Sequence, residues 1–147
     1  MDDFIKSLDE SLEYMSHEII DDFIYITVKS NLQEHICPYC GISSSNIHSF
    51  YPREFQDLPI MGKKSVIQLD NRKIFCNNPD CAHKTFAERF SFLGEKARRT
   101  NRLKDEILRV SLNCSSIAAS ALLSESTAII GKSAICNLLK KNQTGSR

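Results

Sequence analysis

Four of the six cysteines in this 147-residue chain fall into two close pairs, Cys37-x-x-Cys40 and Cys76-x4-Cys81. Such pairs can fold back so that both thiolates face one point, and a soft divalent ion asks for four of them in a tetrahedron, with zinc–sulfur distances of about 2.3 Å. Gly41 supplies the permissive backbone for the first tight turn, and the second pair encloses Asn77, Asn78, Pro79 and Asp80, which are turn formers. The expectation is one zinc ion held by Cys37, Cys40, Cys76 and Cys81. Four thiolates leave no open coordination position, so the ion would stabilise the fold and not catalyse. A redox role for Cys37 and Cys40 is the rival, but no βαβ pattern surrounds them, and it leaves the second pair without a purpose. His35, His48 and His83 lie close enough in sequence for one of them to replace a cysteine. Cys114 and Cys136 fall on apolar helical faces, where an isolated cysteine acts as a small buried hydrophobe.

The elements that would position the cysteines are strands. Leu12 to Ile20 and Phe23 to Val28 flank the pair Asp21-Asp22 and read as a β-hairpin, although residues 2–15 could equally be a short helix. Residues 46–58 read as extended, with a turn from Pro59 to Lys64. Ser65 to Leu69 and Lys73 to Cys76 read as two strands joined by a turn at Asp70-Asn71, and Thr85-Phe86 adds a short strand. After Gly94 the period changes. Leu103, Ile107, Val110 and Cys114 recur on one face of a helix. Ile117, Ala118, Ala121 and Leu122 give a short second helix. A third opens at Gly131, with Ile135, Leu138 and Leu139 apolar and Lys140-Lys141 near its end. The polar tail from Asn142 to Arg147 reads as frayed. The fold class expected is α+β: an acidic N-terminal β-hairpin over residues 1–35, a zinc ribbon over 36–93, and a helix-turn-helix-like three-helix module over 94–147.

The net charge of +1 conceals an asymmetry. Residues 1–35 carry nine acids and two bases, a net of −7, while the remainder carries 17 bases and nine acids, a net of +8. A basic body fits an anionic partner. The densest cluster is Lys96, Arg98, Arg99, Arg102 and Lys104, leading into the first helix of the module. Positive charge opposes the dipole at a helix N-terminus, so helix stability does not explain it, whereas contact with DNA phosphates does. In the third helix, Lys132, Ser133 and Asn137 are the polar residues placed to face a major groove, as the second helix of a helix-turn-helix does. No apolar run approaches the roughly 20 residues that span a bilayer. Met1 to Glu10 lacks the basic start and apolar core of a signal peptide. A cytoplasmic location and no membrane partner are expected, and in a reducing compartment paired cysteines point to metal in preference to disulfides.

Cys37-Pro38-Tyr39-Cys40-Gly41 is followed in order by His48-Ser49, Tyr51-x-Arg53, Asp57-Leu58-Pro59, Gly62 and Cys76-x-Asn78-Pro79-x-Cys81. Then come Thr85-Phe86-Ala87-Glu88-Arg89-Phe90 and Arg98-Arg99-Thr100-x-Arg102-Leu103. This series, from Ile36 to Lys141, resembles the front end of a bacterial insertion-sequence transposase of the ISL-three type, in which a zinc finger and a helix-turn-helix precede the catalytic domain. The resemblance implies that the ribbon and helices recognise the terminal inverted repeats of a mobile element in double-stranded DNA. It also implies that the four cysteines bind zinc and that Arg98, Arg99 and Arg102 contact DNA. The family's Asp-Asp-Glu triad would lie beyond Arg147, so strand cleavage is not carried over. The chain is then expected to be a truncated or frameshifted copy, or a stand-alone DNA-binding protein, and not an enzyme. Two other roles fit the same residues: a ribbon that docks onto protein, such as an intact transposase or a second copy, and an RNA-binding ribbon.

Overall fold

The computed structural model describes residues 1–145. Helix α1 (Asp2–Leu8) has Asp2 and Asp3 in its first turn, where negative charge complements the helix dipole, and it buries Ile5. Strands β1 (Leu12–Ile20) and β2 (Phe23–Ser30) form the expected antiparallel hairpin, with Leu12 opposite Ser30 and Ile20 opposite Phe23. Asp21 takes a left-handed φ of 51° at the turn, which a short polar side chain tolerates. In β2 the period-two pattern sends Ile24, Ile26 and Val28 inward.

Strands β3 (His35–Ile36) and β4 (Ser43–Ser44) make a two-stranded ribbon. Strands β5 (Ile47–Ile60) and β6 (Lys63–Phe75) form a long antiparallel hairpin, closed by Met61 and Gly62 at φ 50° and 78°. Two left-handed residues in a row are what a tight hairpin requires to match strand twist. Strand β7 (Thr85–Ala87) pairs with β6, and the main sheet runs β1-β2-β6-β5.

Three expectations about these elements are corrected. Residues 1–35 are not a separate hairpin. β2 runs parallel to β6, Phe23 beside Lys64 and Val28 beside Leu69, so the acidic segment supplies two of the five strands of the main sheet. One core holds Ile5, Leu12, Ile26, Phe55, Ile67, Leu69, Phe90 and Phe92 together. The second correction concerns Asp70-Asn71, which is no turn: β6 passes straight through, Asp70 opposite Pro52 and Asn71 opposite Tyr51. The local turn preference of Asn71 loses because its buried side-chain amide donates to Tyr51 Oη at 3.0 Å and to the Glu88 carbonyl at 3.3 Å.

The third correction lies in the helices, α2 (Asn101–Ser111), α3 (Ser116–Ser126) and α4 (Lys132–Gly145). Thr100 and Ser115 cap the first two, each accepting a backbone N–H three residues on. Leu103, Ile107, Ala119, Leu123, Ala128, Ile130 and Ile135 form their shared core. Helix α3 therefore buries Ala119 and Leu123, while Ile117 and Leu122 are exposed. Its residues are apolar on nearly every side, so periodicity alone could not choose the inner face. Helix α4 continues through Gly145 where a frayed tail was expected from Asn142; Ser146 and Arg147 of that tail lie outside the described residues. No described helix is long and apolar enough to cross a membrane.

Candidate metal centre

The first cysteine pair sits between β3 and β4. Pairing of His35 with Ser44 and Ile36 with Ser43 brings the chain back on itself, so that Cys37 N–H meets the Ile42 carbonyl at 3.0 Å and Gly41 N–H meets the Cys37 carbonyl at 2.8 Å. Gly41 holds φ 79°, a left-handed angle that favours glycine. The second pair follows directly on β6. Cys76 N–H donates to the Lys84 carbonyl at 2.8 Å, and Asn78 Oδ1 takes the Asp80 N–H at 3.0 Å to shape the turn back to Cys81. The two loops are tied by Asn46, which donates to Asn77 Oδ1 at 2.9 Å and accepts the Phe75 N–H at 2.8 Å.

The four sulfurs lie within 4.8 Å of one another, and Cys40 and Cys76 are 3.5 Å apart. A tetrahedron of zinc–sulfur bonds puts its corners about 3.8 Å apart, so the set fits the ion closely. Three sulfurs each face the backbone N–H two residues on: Ile42 for Cys40, Asn78 for Cys76 and His83 for Cys81. Such donors favour thiolate. The Ile42 N–H is the main cause that brings the Cys40 thiol down to about 7. At Cys76 the Asn78 N–H pulls the same way, but desolvation and hydrogen bonds with Cys40, Cys37 and Cys81 push it up to about 12. Four thiols crowded together cannot all ionise unaided, which is the situation a divalent cation resolves. Cys37, Ile74 and Phe86 form the buried floor beneath.

The histidines are not needed as ligands. His35 turns its Nδ1 to Glu88 Oε2 at 3.5 Å, and burial, assisted by Arg72 and opposed by Glu88, lowers its pKa. His83 stacks on Tyr39 with centroids 3.6 Å apart, and His48 meets the edge of Phe75. Among the described residues, these four cysteines are the single group of three or more ligand-type side chains that converge.

The basic residues divide into two kinds. Lys96 and Arg98 are exposed, as are Lys132, Ser133 and Asn137 on one side of α4. Lys104 is partly buried, and burial, then the charges of Lys141 and Arg99, lower its pKa. Arg102, expected as a phosphate contact, has a partner within the chain. Its Nε and Nη2 grip Asp57 Oδ1 and Oδ2 at 2.8 and 2.5 Å, a pair that raises the Arg102 pKa. Arg99 is half-buried and donates to the Ile129 carbonyl at 3.4 Å. Gln56, Asp57 and Thr100, which hold these arginines and the start of α2, were not recognised as partners from the sequence. The one available signal was Asp57, an acid in a strand that also carries the apolar residues Phe55, two positions before it, and Leu58, next to it.

No curated protein and no solved structure matches the chain. Residues 33–81, the stretch that contains all four converging cysteines, match the family model of the zinc-finger of transposase IS204/IS1001/IS1096/IS1165.

Proposed function

We propose that the chain is a zinc-stabilised, sequence-specific binder of double-stranded DNA that recognises the terminal inverted repeats of a mobile element on behalf of an insertion-sequence transposase. The observation that carries this reading is the polar stripe Lys132, Ser133 and Asn137, exposed along α4 of a compact three-helix unit whose preceding segment exposes Lys96 and Arg98. A helix that follows a short turn and shows polar side chains from its N-terminal half has the form that enters a major groove, with α3 and α4 as the two helices of the motif. Exposed cations beside it supply phosphate contacts. The similarity of residues 33–81 to a transposase zinc-finger supports the choice of DNA over other anions. The same reading assigns no strand cleavage to these residues: two-metal phosphoryl transfer needs converging carboxylates, and among the described residues the converging group is four thiols.

The test is selection by the full zinc-loaded chain from a randomised duplex library, followed by fluorescence anisotropy with the enriched and a shuffled duplex. A preference of at least tenfold for the enriched duplex supports the reading. Equal affinities, or better competition by RNA, overturn it. One observation favours a second reading, a ribbon that docks onto protein: Ile36, Tyr39, Ile42, Ile47, Phe50 and Phe75 are exposed around the cysteine loops.

A further inference from the structure

One side chain of the sheet holds the turn between α3 and α4. Gln56, on β5, lies where that strand meets the segment leading into α2. Its backbone N–H donates to the Arg98 carbonyl at 2.8 Å and its carbonyl accepts the Thr100 N–H at 2.9 Å, so Arg99 stands beside it as a parallel rung at the edge of the sheet. The side-chain amide reaches the backbone of Ile129. Ile129 N–H donates to Gln56 Oε1 at 3.1 Å, and Gln56 Nε2 donates to the Ile129 carbonyl at 3.4 Å. An amide that pairs with both polar groups of one residue acts as a short piece of strand. Arg99 Nη2 reaches the same carbonyl at 3.4 Å.

Ile129 lies three residues before α4 begins. Its side chain is 56% exposed, so apolar packing does not hold it there. The next residue is fixed from the opposite side, where Ser120 and Ser124 of α3 donate to the Ile130 carbonyl at 2.7 and 3.4 Å. The turn is thus held by hydrogen bonds from α3 and from the sheet, and those from the sheet run through Gln56, while Leu58 of the same strand packs on the helical core. The geometry points to Gln56 as a positioning residue that sets the angle of the exposed stripe of α4 relative to the basic segment from Lys96 to Arg98. Base-edge contacts depend on that angle, because donors must meet a fixed pattern in the groove, whereas phosphate contacts made by long flexible cations tolerate its loss. Gln56 therefore governs discrimination between sequences, not general affinity for DNA. This rests on the DNA-binding reading above.

The experiment uses the full zinc-loaded chain in three forms: unaltered, Gln56→Ala and Gln56→Glu. Amide hydrogen exchange over residues 127–131 reports the grip without DNA. Anisotropy with the library-enriched duplex and the shuffled duplex reports discrimination. In Gln56→Ala, exchange at Ile129 rises and the ratio of the two affinities falls roughly five- to tenfold, the loss expected for one or two hydrogen bonds. Affinity for the shuffled duplex and its salt dependence stay unchanged. Gln56→Glu keeps an acceptor for the Ile129 N–H, so it retains slow exchange there and recovers part of the ratio. A general loss of stability would lower both affinities together and leave the ratio intact, which overturns the inference. So does unaltered exchange at Ile129 in Gln56→Ala. If the unaltered chain shows no preference between duplexes, the DNA reading fails and takes the specificity role with it, while the exchange measurement still decides whether Gln56 holds the turn.

Discussion

Asp57 and Arg102, 45 residues apart in sequence, meet through two parallel hydrogen bonds of 2.8 and 2.5 Å at the junction of β5 and α2. The carboxylate is almost wholly buried, and Thr100 donates to it as well, at 2.8 Å, while serving as the cap of α2. One acid therefore ties the sheet to the start of the helical module. Removing the two partners should have unequal effects. Arg102→Ala leaves a buried carboxylate with only the threonine hydroxyl and should cost about 3 kcal/mol, the low end for breaking a buried pair, because Arg102 is partly open to water. Asp57→Ala frees an arginine that can turn outward and should cost about 1–2 kcal/mol. Urea midpoints of the two variants check the order; equal losses would mean that the pair is not the anchor.

The zinc site and the main sheet have separate floors. Ile74 and Phe86 pack with the buried Cys37 against the other three cysteines, whereas the sheet core, built around Ile26, Phe55 and Ile67, contains no cysteine. Cys76→Ser should lose the single equivalent of zinc and with it the β3–β4 ribbon, since metal binding of about 10–16 kcal/mol in such sites is largely folding free energy. Slow amide exchange in β2 and the first half of β6 should survive. Elemental analysis together with exchange mapping decides this, and a folded ribbon without metal would refute it.

Met61 sits in the left-handed region at φ 50° with its side chain 95% exposed, in the first position of a turn that continues into Gly62. An unbranched apolar side chain costs about 1 kcal/mol in that backbone conformation and gains nothing from burial here. Met61→Asn gives the Asn-Gly pair that such hairpins prefer, and should raise stability by roughly 0.5–1 kcal/mol without altering zinc content. Thermal melting measures it; a fall in Tm would show that Met61 makes an interaction that its exposure does not suggest.

Salt dependence separates the exposed cations from those with structural partners. Lys96→Ala with Arg98→Ala should flatten the slope of log K against log salt by about 0.9 for each phosphate that is no longer neutralised, on any duplex. Asn137→Ala should instead cost about 1–3 kcal/mol on the enriched duplex and little on the shuffled one. Anisotropy at several salt concentrations resolves the two patterns, and an unchanged slope in the double variant would move the balance to the protein-docking reading.

The metal centre was legible in the sequence because each cysteine pair builds its own loop from neighbours: Gly41 allows one turn, and Asn78 with Pro79 shapes the other. The β1–β2 hairpin and the three C-terminal helices were legible for the same reason, since periodicity acts within a few residues, although it left the inner face of α3 undecided. What only the tertiary structure decided involves partners far apart along the chain. The parallel pairing of β2 with β6 joins an acidic segment to the strand that leads into the second cysteine pair, across the whole first cysteine loop. Asn71 and Asp70, which favour turns locally, stay in a strand because β5 pairs with β6 without a register shift across them, from Ser49 to Asp57. Arg102 and Arg99 read as free cations until Asp57 and Ile129 arrive beside them, 45 and 30 residues away. Charge in a sequence is visible, but whether it faces water or a buried acid depends on a partner that only folding brings within reach.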